Sequence, residues 1–174
     1  KFIPMRNLTI TAGLHGQHLS HNNTKALEPR AGVQWQPGTA GTFSLGYGLH
    51  SQTQPWYQYF THLPQNASDQ MHNYNLDFTK SHHFVAGYGR SLGRSISVRT
   101  EAYYQYLFNV PIEHRPGSSY SSINQGNNFE RIFPDTLHNG GAGYNYGLEL
   151  TLSRSFRQGY YLLFTGALYE SKAR

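Results

Sequence analysis

The sequence predicts an all-β protein whose strands form an antiparallel, up-and-down meander of about seven long strands. Three observations support this fold class. Apolar and polar residues alternate over long stretches, turn-forming residues separate those stretches, and no helical period extends over a useful length. The clearest alternation lies in residues 26–36. Its apolar odd positions are Leu27, Pro29, Ala31, Val33 and Trp35, and its polar or charged even positions are Glu28, Arg30, Gln34 and Gln36.

The amino-acid composition is unusual for a soluble enzyme. Only 13% of the 174 residues are charged and 37% are hydrophobic, whereas 15% are aromatic. Strands that carry aromatic belts outward and polar residues inward need no continuous aliphatic core. The absence of cysteine argues against a disulfide-stapled module and against thiolate metal sites. The net charge of +5 arises from basic residues scattered singly, so nucleic acid is not expected as a partner.

The strands follow from the alternation and the turn residues between them. Leu8, Ile10, Ala12 and Leu14 share one face of the first strand, and Phe43, Leu45, Tyr47 and Leu49 alternate with small or polar residues after the Pro37–Gly41 turn. The same reasoning applied along the whole chain predicts strands over residues 7–19, 26–36, 43–50, 82–92, 96–109, 144–156 and 160–171.

The connections between the strands are of two kinds. Short turns are predicted near residues 37–41, 93–95 and 157–159, and long loops over about 53–81 and 111–143. Short turns at one end and long loops at the other are typical of outer-membrane barrels. Single-chain bacterial barrels have even strand numbers, and about seven strands would close only a very narrow barrel. We therefore expect the chain to be part of a larger sheet.

Several stretches together resemble the C-terminal half of the barrel in TonB-dependent outer-membrane receptors, particularly those of the Bacteroidetes type. They are LEPRAGVQW at 27–35, GYG at 46–48, QP at 54–55, EAYY at 101–104 and YGLEL at 146–150. The resemblance spans nearly the whole chain, residues 1–174. It implies a barrel of about 22 strands with a plugged lumen, of which this chain would form roughly a third.

The resemblance also implies a function in the outer membrane of a Gram-negative bacterium. This function is active uptake of a scarce ligand, such as a metal chelate, a vitamin or an oligosaccharide. The implied partners are outer-membrane lipid, the plug domain and TonB, and both the plug and the segment that binds TonB would lie outside this chain. No enzymatic activity and no cofactor are expected. The alternative from another class is a soluble or cell-surface β-sheet module whose long loops bind a carbohydrate.

Four aromatic residues in the first long loop are the candidate ligand contacts. Trp56, Tyr57, Tyr59 and Phe60 could stack on a sugar ring or a flat chelate. Residues of this kind serve more often in an aromatic girdle at the membrane interface or in loop packing.

Five charged residues lie on the polar sides of their strands and are expected to face the lumen, where they would pair with one another or bind the plug. They are Glu28, Arg30, Arg99, Glu101 and Glu149. No metal site is expected, because His15 and His18 would point to opposite faces of one strand. The loop residues His62 and His72 are the less constrained possibilities for a metal ligand.

Overall fold

A computed structural model describes residues 1–61, 71–124, 134, 136–157 and 159–173. It contains eight strands and one helical turn. They are β1 (Phe2–Met5), β2 (Leu8–Leu19), β3 (Thr24–Trp35), β4 (Thr42–Gln52), α1 (Trp56–Tyr59), β5 (Thr79–Leu92), β6 (Ile96–Glu113), β7 (Leu137–Arg157) and β8 (Tyr160–Ala173). The strands form one open sheet in the order β1 to β8, and each is antiparallel to the next. Within the described residues, no helix has the length and apolar character needed to cross a membrane.

The predicted all-β antiparallel meander is confirmed, with three differences in detail. The additional strand is β1, which pairs with β2 through Phe2 and Ile10 and has too few residues to show a period. Strands β6 and β7 extend further than predicted, so their connection covers residues 114–136 rather than 111–143. The short helix α1 also lies inside the segment predicted to be a loop.

The strand register gives the sheet two chemically different faces. Directly paired residues on neighbouring strands point to the same side of a sheet. A row of aliphatic side chains therefore crosses the middle of one face from β2 to β8. The row consists of Ile10, Val33, Leu45, Ala86, Ala102, Leu148 and Leu168. We call this side the apolar face and the opposite side the polar face.

Aromatic rings flank the aliphatic row on the apolar face. On one side of it, Phe43 packs between Trp35 and Tyr88, with ring centroids 5.8 and 4.9 Å apart. On the other side, the rings of Tyr47 and Phe84 lie 5.0 Å apart. Aromatic residues at two levels with aliphatic residues between them are typical of the outer surface of membrane barrels.

The two ends of the sheet differ strongly. The connections after β1, β3, β5 and β7 lie at one end and are short, whereas both long connections lie at the other end, together with the turn after β2. We call this second end the loop end. The buried hydrophobic cluster of the described residues also lies there, because the loops cover part of the polar face. It consists of Leu19, Tyr59, Leu76, Phe78 and Leu137.

Candidate functional site

The buried carboxylate of Glu28 is the centre of a hydrogen-bond network on the polar face, near the loop end. Its Oε2 lies 2.8 Å from Arg30 Nη2 and 3.0 Å from His15 Nδ1. Its Oε1 accepts hydrogen bonds from Gln17 Nε2 and from the backbone N–H of Ser51, both at 2.7 Å. Both carboxylate oxygens are therefore satisfied, and one side chain links β2, β3 and β4.

The other three charged residues predicted for the polar face form a second group on β6 and β7. Arg99 Nη2 donates to Glu101 Oε1 at 2.9 Å, and Glu101 is the direct cross-strand partner of Glu149. On the neighbouring strand, a Cβ at Gly87 would make only ordinary contact with Glu101 Cγ, at 3.5 Å, but would approach Ser44 Oγ to 2.5 Å. The structure thus places all five predicted residues on one face, in two separate groups.

The histidines do not form a metal site in the part of the chain that the structure describes. No group of three His, Cys, Asp or Glu residues there lies close enough to hold a metal ion. His15 pairs with Glu28 and His18 with Lys25, which puts the two rings on opposite faces of the sheet. His62 lies outside the described residues, and His72 lies in a turn of the β4–β5 connection.

The four aromatic residues predicted as ligand contacts have different environments around α1. Tyr59 is completely buried, its hydroxyl oxygen accepts the backbone N–H of Gln54 at 3.2 Å, and burial raises its pKa. Trp56 and Phe60 are 58% and 44% exposed and stack with ring centroids 6.1 Å apart. Tyr57 is half-buried. Tyr59 is therefore a packing residue, whereas Trp56 and Phe60 present ring surface that a ligand can contact.

His21, which the sequence did not single out for this site, lies at the centre of the aromatic cluster. Its ring centroid lies 5.0 Å from those of Tyr59 and Phe60 and 4.0 Å from that of Tyr74. Tyr74 also donates its hydroxyl to the carbonyl oxygen of His21 at 2.5 Å. The only sequence signal is the position of His21 in a polar turn, because the contacts join His21 to residues 38 to 53 positions further along the chain.

Asparagine side chains attach the β4–β5 connection to strands β6 and β7. Asn139 Oδ1 accepts the backbone N–H of Asp77 at 2.8 Å, and Asn139 Nδ2 donates to the carbonyl of Asn109 at 2.8 Å. Asn73 Oδ1 accepts the backbone N–H of Leu137, also at 2.8 Å. The described end of the β4–β5 connection is thereby fixed to β6 and β7 of the sheet.

Comparisons with known proteins identify solved structures of the same fold. No family model matches the sequence, and no curated protein matches it. The structure of the FrpB iron transporter from Neisseria meningitidis (F3-3 variant) matches with a TM-score of 0.60 and 17% sequence identity. The match covers 98% of this chain and 24% of the transporter, so the chain spans about a quarter of that protein's length.

At this level of identity the match establishes the fold alone. The chain folds like a segment of a transporter barrel, which agrees with the predicted receptor-like architecture. The match does not support the Bacteroidetes type to which the sequence motifs pointed.

Proposed function

We propose that this chain forms part of the wall of an outer-membrane β-barrel transporter of the TonB-dependent receptor type. Its apolar face contacts lipid, its polar face lines the lumen, and its loop end faces the ligand outside the cell. The plug domain and TonB act as partners from outside this chain and supply the gate and the energy for uptake of a metal chelate, a vitamin or an oligosaccharide. The similar fold of an iron transporter supports a transport role.

The main support for a membrane-spanning sheet is the unequal distribution of charged residues between its two faces. On the polar face, charged residues occur in the interior of strands. On the apolar face, every charged residue of the described strands lies within four positions of a strand end. These residues are Lys25, Lys80, Arg90, Arg154, Glu170 and Lys172. A strand that crosses lipid requires this asymmetry, since a charge at the bilayer midplane costs about 2–4 kcal/mol whereas one at the interface costs little.

Single cysteines introduced into this naturally cysteine-free chain test the orientation of the sheet. Ala86→Cys and Ala102→Cys place the thiol in the middle of the apolar face, and Ser44→Cys and Thr151→Cys are matched small-residue controls on the polar face. In intact outer membranes, we expect a lipid-dissolved maleimide to label the first pair. A water-soluble maleimide, applied after the membranes are permeabilised, should label the second pair.

Two results would contradict the proposal. One is equal labelling of all four cysteines by the water-soluble reagent, and the other is recovery of the protein in the soluble fraction. Together they would favour the alternative of a soluble or cell-surface carbohydrate-binding module, because both faces of such a sheet contact water or protein rather than lipid.

A further inference from the structure

A cavity of about 190 Å³ lies on the polar face at the loop end, separate from the exposed aromatic rings. The ends of β4 and β5 line it with Gln52 and Thr79, and the β6–β7 connection lines it with Ser122 and Ile123. Ile123 reaches this position because β7 has glycine at 143, where a Cβ would approach Ile123 Cδ1 to 2.8 Å. At about 30 Å³ per water molecule, the cavity has room for one small ring.

The cavity contains a buried polar group whose hydrogen bonding is incomplete. Gln58, which lines the cavity from α1, is only 1% exposed. Its Nε2 donates to the hydroxyl of Tyr120 at 3.1 Å, whereas its Oε1 has no hydrogen-bond partner among the described residues. If the oxygen and nitrogen of the Gln58 amide exchanged places, the nitrogen would occupy the unpaired position instead. One polar atom of the amide would therefore still lack a partner. Buried polar groups are normally paired, so this atom indicates a ligand that supplies the missing hydrogen bond.

The wall of the cavity next to Gln58 is already rigid. The side chain of Gln54 is buried, and its Nε2 donates to Thr79 Oγ1 at 2.8 Å and to the carbonyl of Asp77 at 3.3 Å. The backbone N–H of Gln54 is bound by the buried Tyr59 hydroxyl. A ligand therefore meets a preformed wall, which lowers the entropic cost of binding.

The lining is neutral throughout. Its polar groups are amides and hydroxyls, and its apolar part consists of Pro55, Leu107 and Ile123. An anionic chelate would lose its hydration here without gaining a counter-charge, which is costly. A sugar ring suits this lining, because its hydroxyls donate to amide oxygens while its C–H face packs on aliphatic side chains.

The geometry points to a binding subsite for one neutral, polyhydroxylated ring, in which the Gln58 amide turns toward the cavity so that Oε1 accepts a hydroxyl of the ligand. This inference rests on the proposed transport function, which it narrows from several ligand classes to neutral hydroxylated molecules. The ligand would enter the site from the lumen side, since the cavity lies on the polar face.

Equilibrium dialysis of the detergent-solubilised, full-length protein tests the subsite. The probes are radiolabelled glucose, galactose and N-acetylglucosamine, with glucuronate as a comparison that differs from glucose by its carboxylate. We expect saturable binding of at least one neutral sugar and binding of glucuronate that is weaker by at least about tenfold. Gln58→Leu should weaken binding of the neutral sugar about tenfold, because the ligand hydroxyl loses its acceptor. Gln34→Leu, the same exchange at an exposed position of β3, should leave it unchanged.

Loss of binding in Gln58→Leu could also result from unfolding of the loop end, so a second variant tests the subsite independently. Ser122→Phe fills the cavity from another segment and should abolish binding of the neutral sugar. The subsite is refuted if no neutral sugar binds saturably, if glucuronate binds as well as glucose, or if both variants bind like the natural protein. The cysteine-labelling pattern tests the membrane orientation independently, so failure of the subsite is distinguishable from failure of the proposed function.

Discussion

Glu28 and Arg30 form an ion pair along one strand, with Oε2 and Nη2 2.8 Å apart, in which the carboxylate is 1% exposed. A second pair on the same face repeats this spacing. Glu101 and Arg99 are also two positions apart, at 2.9 Å, but the Glu101 side chain is 28% exposed. The two carboxylates differ in burial and in hydrogen bonding, since Glu28 also binds His15, Gln17 and the backbone of Ser51. The two sites therefore allow a buried, fully hydrogen-bonded carboxylate to be compared with a partly exposed one.

Replacing Glu28 by Gln should destabilise the protein far more than replacing Glu101 by Gln. The first change places an amide NH₂ among the donors of Arg30, Gln17 and Ser51, so that a buried donor loses its acceptor at a cost of about 1–3 kcal/mol. The second removes a largely solvated pair and should cost less than about 1 kcal/mol. Urea unfolding of the two variants in detergent micelles measures the difference. Equal losses would show that burial of Glu28 contributes nothing.

A charge in the middle of the apolar face should impair membrane assembly. Ala102→Arg places a guanidinium in the aliphatic row, and we expect a loss of about 2–4 kcal/mol in the free energy of folding into lipid bilayers. Thr151→Arg is the control on the polar face of β7 and should cost little. The measurement is folding into vesicles followed by heat-modifiable gel migration. Normal assembly of Ala102→Arg would place this face away from lipid.

The stability of the loop end should fall at high pH because of Tyr120. Burial raises the pKa of Tyr120 from 10.0 to about 12. The folded state therefore favours the neutral phenol, and this contribution is fully present below the unfolded pKa and disappears as the pH rises through the folded pKa. We expect the thermal midpoint to fall more steeply between pH 10 and about pH 12 in the natural protein than in Tyr120→Phe. Parallel curves would mean that Tyr120 titrates normally.

The chain of residues 1–174 on its own should associate in detergent-free buffer. Its apolar face is uncovered, with Leu168 77% exposed, and β1 and β8 have unpaired edges that can pair with other chains. Light scattering during size-exclusion chromatography should show oligomers in buffer and a smaller species in detergent. A stable monomer in plain buffer would contradict the assignment of this face to lipid.

The loop end shows why parts of the site could not be predicted from the sequence. Trp56, Tyr57, Tyr59 and Phe60 are equivalent as an aromatic run, yet only the folded chain buries Tyr59 and leaves Trp56 exposed. The hydrogen bond between Gln58 and Tyr120 spans 62 positions, and neither residue carries a local signal for it.

The sequence by itself determined the meander and the identity of the two faces. Alternation has a period of two residues, so positions such as Leu45 and Ser44 are assigned to opposite faces without knowledge of their neighbours. Tertiary structure alone decided that Glu28 is buried, that β1 is a strand and that a neutral cavity lies beside Gln58. The physical reason is distance along the chain: a strand period is local, whereas burial and cavities depend on segments that the fold brings together.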